Sequence, residues 1–393
     1  MFMPDNRTQL PVLFALGFRP LFLAGSLFAV LAIPLWIAAF FGHIELSPAG
    51  GWLAWHRHEM VFGFGVAIVA GFLLTAIQAW TGVPALTGKP VLLMAGLWLA
   101  GRLCWLLGAP LWLLIPVDLL FLPLVALAIG HSLWKVRQAR NYPIVVMLSL
   151  LTLCNLLVLI GLQKEDFFLQ RHGAVAALWL IAGLMGLIGG RVIPFFTQRG
   201  LGLTEPVEAW PRLDNLLMVG SILVALLMLS GVGLRPSPWQ APIYLSLGLG
   251  HIVRLLRWHH PKIWTVPLLW SLHLSYAWLA LALIAMALWH GGWLGGFSQA
   301  LHLLAIGGMG GMILAMIARV SLGHTGRPLQ PAASMSLAFI LLNLAVPLRV
   351  WLTIPMPQTG FWLASLCWAA AFGLYVWNYT AILTAPRPDG RPG

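Results

Sequence analysis

Apolar runs of about the length of a membrane span recur along this chain, broken by short clusters of Gly, Pro and charged residues. They fall at 20–41, 61–80, 91–107, 111–130, 143–161, 173–196, 215–233, 241–257, 266–288, 299–318, 334–353 and 361–383. A helix needs roughly 20 apolar residues to cross a hydrocarbon core about 30 Å thick. The pattern therefore predicts an all-α polytopic membrane protein of twelve transmembrane helices. Only Gly108-Ala109-Pro110 parts the third run from the fourth, which reads either as a tight helical hairpin or as one long kinked helix. No long polar stretch interrupts the series, so 1–393 is read as one transmembrane domain.

Three of the spans open on a histidine. His58 follows His56 in WHRHEM at the head of the second, His172 opens the sixth and His302 stands at the start of the tenth. The same spacing separates His58 from Gly82 and His302 from Gly326, and both stretches end Thr-Gly-x-Pro. One pattern used every four helices suggests three four-helix units, about 1–130, 131–257 and 258–393, around a pseudo-threefold axis lined by helices 2, 6 and 10.

Composition places the chain in lipid. It is 60% hydrophobic and 8% charged, against about 25% charged residues in soluble domains. The net charge of +12 is the basic excess of cytoplasmic loops and does not mark a nucleic-acid partner. With twelve spans, the termini and even-numbered loops take most of the 22 Lys and Arg residues, among them Arg7, Lys89, Lys135, Arg140, Arg199, Arg257, Lys262 and Arg387. The odd loops hold Arg57, Lys164, Arg171, Arg235 and Arg349. This bias orients both termini toward the cytoplasm. The first run is longer than a signal-peptide core and is read as a span. Cys104, Cys154 and Cys367 stand singly in apolar runs, as small buried residues rather than thiolate ligands.

Buried imidazoles and guanidinium groups carry the candidate chemistry. On a helix His56 and His58 point about 200° apart; in extended chain they share a side. One metal can hold both only in the second case, and Glu59 is then the acceptor for a ligating ring. His302 is followed by Gly307, Gly308, Gly310 and Gly311, which admit either a flat cofactor or a close helix. His273 lies deep in helix 9, as a metal ligand or bonded to a hydroxyl such as Ser275 or Tyr276. It belongs to a second metal site or to a cytoplasmic-side cluster with Arg191 and His324. Buried Arg191 and Arg102 need anionic partners, which porphyrin propionates supply, as does Asp118 for Arg102. Arg19 and Arg327, the latter near His324, are further cations at that face, as anchors or as propionate partners. His43, His131, His251, His259, His260 and His290 fall mostly at loop edges, where surface or structural roles are expected. Asp118 is the one carboxylate well inside a span, which weighs against a proton-coupled transporter. No P-loop, dinucleotide fingerprint or Ser–His–Asp set is present.

GFRPLFLAGSLFAVLAIPLW (17–36), WHRHEMVFGFGVAIVAGFLLTAIQAWTG (55–82), GGRVIPFFT (189–197), PLLWSLHLSYAWL (267–279) and ALHLLAIGGMGGMILAMIARVSLGHTGRPL (300–329) together resemble the NnrS family. The resemblance covers nearly the whole chain. It implies a bacterial inner-membrane protein of twelve helices that contains haem and copper and serves nitric oxide metabolism and nitrosative-stress tolerance. Nitrogen ligands and the lack of paired thiolates agree with haem b, held without covalent attachment, and with copper. His56, His58, His172, His273, His302 and His324 are the candidate metal ligands, with Arg19, Arg191 and Arg327 as propionate partners. Helices 2, 6 and 10 also resemble the haem–copper oxidases in arrangement. Helix 10 lacks their histidine pair and helix 6 has none at mid-membrane, which argues against a copied binuclear centre. The expected function is binding of nitric oxide, with its reduction if an electron donor is engaged. The alternatives are a non-catalytic sensor or scavenger and a metal or small-molecule transporter.

Overall fold

In the computed structural model, which describes residues 10–205 and 210–391, the described chain is helical and contains no strand. Arg7, counted above among the terminal cations, lies outside these residues. Twelve helical rods follow one another: α1 Phe18–Phe40, α2 Gly51–Thr81, α3 Lys89–Leu106, α4 Leu111–Lys135, α5 Tyr142–Gln163, α6 Phe167–Leu201, α7 Pro211–Leu229, α8 Ala241–Trp258, α9 Pro267–His290, α10 Phe297–His324, α11 Ala333–Leu352 and α12 Pro357–Thr384. Eleven are long and apolar enough to cross a membrane. The exception is α8, where His251, Arg254 and Arg257 interrupt an 18-residue helix. Helix is the dictated state, because a lone span in lipid can satisfy its backbone polar groups only internally. α3 and α4 are separate: Gly108 turns the chain at φ +62° and Pro110 begins α4.

Three helices occupy the middle. α2 and α6 bury 83% of their most apolar stretch and α10 buries 72%, against 28–39% for α1, α3, α4, α7, α11 and α12. All three pairs among α2, α6 and α10 touch. Gly65 marks the meeting point: a Cβ there would stand 3.3 Å from Ile181 of α6 and 3.5 Å from Met309 of α10. Small residues at such crossings let helices approach, since lipid provides no hydrophobic drive for association. α6 starts on a cap, with Asp166 Oδ1 accepting from the amides of Phe168 (2.9 Å) and Leu169 (3.0 Å), worth about 1 kcal/mol. Its 35 residues make it about 50 Å long, well beyond the hydrocarbon core.

α2 and α10 share more than a histidine. Each changes from α to π winding one residue after it, over Glu59–Gly65 and Leu303–Gly310. A threonine closes each, Thr81 as the last residue of α2 and Thr325 just after the end of α10, with its hydroxyl bonded back to Ile77 (2.7 Å) and Ser321 (2.6 Å) respectively. A left-handed glycine follows in both, Gly82 at φ +72° and Gly326 at φ +69°. A π segment fits an extra residue into a turn and often marks a functional site. α6 has no such segment, so this likeness joins two of the three histidine-headed spans.

The start of α1 and the end of α12 meet at one end of the bundle, where the two helices pack together. Arg19 donates to the carbonyls of Leu383 (2.7 Å) and Ala385 (3.0 Å), capping the negative end of α12. Arg387 donates to the His324 carbonyl (2.8 Å) and, beside Asp389, holds that carboxyl well below the usual carboxylate range.

Candidate functional site

WHRHEM is already helical, so its two histidines look in opposite directions, onto two different sites. His58 faces α3, α4 and α5, fully buried among polar groups. Its Nδ1 lies 2.9 Å from Glu59 Oε1, and its Nε2 lies 3.1 Å from Asp118 Oδ2 and 3.0 Å from Asn155 Oδ1. Asn155 Nδ2 donates to Asp118 Oδ2 (2.9 Å), and Arg102 Nη2 donates to Asp118 Oδ1 while its Nε stands 3.3 Å from Glu59 Oε2. Trp105 stacks on the His58 ring at 4.0 Å. Both imidazole nitrogens therefore face carboxylate oxygens, the arrangement of an imidazolium donating from each side.

His58, Glu59 and Asp118 lie close enough for one ion to touch all three. The charges oppose it: Arg102 already bridges both carboxylates, and a dication beside a guanidinium would meet repulsion at low dielectric. The two basic and two acidic side chains face one another, although Arg102 Nε and Nη1 and Glu59 Oε2 are buried without a hydrogen-bond partner. Gly63, in the π segment, makes room for this set. A Cβ there would sit 2.7 Å from Arg102 Nη1 and 2.9 Å from Glu59 Oε2. Gly63→Ala is expected to displace Arg102 at a cost of about 1–3 kcal/mol, read as a lower thermal midpoint of the purified protein in detergent. An unchanged midpoint would mean that the guanidinium relaxes freely.

His56 faces the other way, across a cavity of about 510 Å³ at the end of the bundle remote from the termini. His302 lines the same cavity from α10. Its Nδ1 donates to the Ser298 carbonyl (2.7 Å), which fixes the tautomer and leaves Nε2 with a lone pair. His56 stacks on Trp36 at 4.8 Å and 9°, and its Nδ1 is buried without a hydrogen-bond partner. Met60, Met309, Phe361 and Trp368 give apolar walls. Arg57, Arg171 and Arg349 also line the cavity, and among the described residues no carboxylate pairs with any of them. Arg349 donates to Ser298 Oγ (3.0 Å) and lies over the Phe361 ring, and Arg171 lies over Phe297.

The remaining candidates are dispersed. His172 packs its ring against Gly231 at the end of α7 and lines none of the cavities described here. His273 is buried, with Nδ1 bonded to the Leu269 carbonyl (3.0 Å) and Nε2 3.5 Å from Thr197 Oγ1. Its partners are neither Ser275 nor Tyr276, whose hydroxyls serve Ser271 and His251. Arg191 donates to Asn141 Oδ1 (2.8 Å), and Arg327 to the Thr325 carbonyl (3.4 Å). His324 packs its ring on Phe18. Arg102 does meet Asp118, the protein partner expected for it.

The cavity arginines were not singled out from the sequence, although a signal was present. Arg57, Arg171 and Arg349 belong to the minority of cations in the odd loops, which loop topology leaves unexplained. His251 and His290, read as loop-edge residues, are buried.

The cavity and the walled-off charge cluster are built from motifs found along almost the entire chain. Comparison with curated proteins finds no match. The family model described as NnrS protein matches residues 12–387, and the chain belongs to the NnrS family.

Proposed function

We propose that the protein binds haem b in the His56–His302 cavity and uses it to take up nitric oxide within the bacterial inner membrane, protecting against nitrosative stress. One observation carries this reading: two imidazoles with nitrogen atoms to spare share an apolar cavity with three arginines that have no carboxylate partner among the described residues. Its volume lies within the roughly 300–1,000 Å³ of small-molecule and cofactor sites. Membership of the family supports a protein related to nitric oxide. Copper, the other metal implied by the resemblance, would find its nitrogen donors at the same two histidines.

Haem held in this cavity by His302 or His56 would supply an iron able to bind a diatomic ligand. The protein's own groups do the rest. The Ser298 carbonyl holds His302 with Nε2 free to ligate, and Trp36 holds the plane of the His56 ring. Arg57, Arg171 and Arg349 would neutralise propionates, relieving three cations that otherwise repel one another at the cavity wall. Met309, Phe361 and Trp368 line the cavity with apolar surface, which suits an apolar gas dissolved in the bilayer.

The test is an anaerobic titration of purified, pigmented protein with nitric oxide. A shift of the Soret band is expected, followed, once a reductant is added, by loss of nitric oxide from solution. A shift without consumption would make the protein a scavenger or sensor. A colourless protein that takes up no haem would overturn the proposal. Because no Cys-x-x-Cys-His site exists, acid–acetone should extract all of the colour; pigment retained by the polypeptide would refute haem b.

A further inference from the structure

A second cavity, of about 600 Å³, lies between α6, α7 and α8 toward the end of the bundle that carries the termini. It neither contains nor touches His56 or His302. We propose that it is a binding site for an anionic phospholipid, whose phosphate is held by Arg140, Arg191 and Arg254 and by a hydrogen bond from His251.

The hydrogen-bond pattern fixes what His251 offers. Its Nδ1 lies 2.7 Å from the Tyr276 hydroxyl, and Arg254 Nη1 donates to that same oxygen (2.9 Å). A guanidinium only donates, and His251 Nδ1 is the acceptor within reach of the hydroxyl, so we assign the tyrosine proton to that contact. The proton of the imidazole is thereby placed on Nε2. That nitrogen makes no hydrogen bond and lies 4.0 Å from where a Cβ on Gly186 would stand. His251 is only 2% exposed and lines the cavity. An N–H donor that opens into a cavity from a residue so little exposed, with no acceptor among the described residues, calls for one from a ligand.

Charge gives the sign of that ligand. Arg140 and Arg191 line the cavity without a carboxylate partner among the described residues. Arg254 meets Asp214 (2.9 Å), the one acidic residue in the wall among the described residues. Gly190 lets the guanidinium of Arg254 lie flat on α6, since a Cβ there would collide with it. Surroundings choose a lipid over a free anion. The outer faces of the two flanking helices are exposed and apolar, with Leu216, Val219 and Leu223 on α7 and Leu249, Val253 and Leu256 on α8. Acyl chains can lie along these faces while the headgroup enters between the helices. Basic pockets between spans are general sites for anionic headgroups.

The experiment is native mass spectrometry of the full-length protein in detergent, titrated with phosphatidylglycerol, phosphatidylcholine or inorganic phosphate. One retained phosphatidylglycerol is expected, in clear preference to phosphatidylcholine and unaffected by millimolar phosphate. Arg191→Gln and the surface variant Arg140→Gln should each lower its occupancy constant about fivefold, and His251→Phe should lower it while keeping a ring against Gly186. Equal retention of the two lipids, or phosphatidylglycerol retention unchanged in all three variants, overturns the proposal. Competition by inorganic phosphate at stoichiometric levels would mean a soluble-anion site and equally refute the lipid.

Discussion

Replacing Asp118 with Ala should destabilise the protein by about 3–5 kcal/mol, because it strips a buried charge network of half its negative charge. Glu59 would then be the one carboxylate left to Arg102 and His58, with Asn155 Oδ1 still beside His58 Nε2, in a region with room for about one water beside Arg102 and Asn155. Both Asp118 oxygens are used, one by Arg102 and the other by His58 and Asn155, and it is Arg102 that loses its closest acceptor. Removing the cation as well should recover much of the loss. The double variant Arg102→Met with Asp118→Leu leaves one anion and one imidazolium, still paired at 2.9 Å. Its cost should fall well short of the sum of the two single changes, as expected for groups in one network. Thermal or chemical unfolding in mixed micelles measures all three. Additive costs would show that the two residues do not form a unit.

The second large effect separates the two histidines of WHRHEM. His302→Ala and His56→Ala should each lower haem content per polypeptide by more than about tenfold, since each removes a nitrogen donor from the cavity. His58→Ala should leave the Soret band of any folded protein unchanged and lower its thermal midpoint instead, because both ring nitrogens are spent on carboxylates and an amide. Arg349→Ala falls between these cases, with weaker retention of haem but an unaltered spectrum, as for a group that touches propionates and never the iron. Haem content measured as the pyridine haemochrome distinguishes the outcomes. If His58→Ala abolishes the spectrum while His56→Ala leaves it intact, the roles of the two histidines are reversed.

Much of this architecture was legible in one dimension. Twelve rods follow from twelve apolar runs, and the shared Thr-Gly-x-Pro ends of α2 and α10 prove to carry the same left-handed glycine. Boundaries shifted where polar residues begin a helix. α2 starts at Gly51 because WHRHEM, although polar, is helical, and α6 starts at Phe167 because Asp166 caps it. Hydropathy does not register either feature, since burial of a histidine in protein and its exposure to water look the same in an apolar count.

What the sequence by itself determined is the number of helices, their polarity and the residue types that could carry chemistry, all properties of segments about 20 residues long. Which of those residues meet was decided only by tertiary structure. A helix turns its face by about 100° per residue, and each π segment adds a further rotation, so the neighbours of His56 depend on how α2 is turned against α10. Neither His56 nor His302 has a local partner that reveals the other, and the cations from α2, α6 and α11 converge only when the central helices pack. Asp118 found Arg102 through the α3–α4 hairpin, a local contact that sequence could anticipate. His56 found His302 across most of the chain, which only the packed bundle could specify.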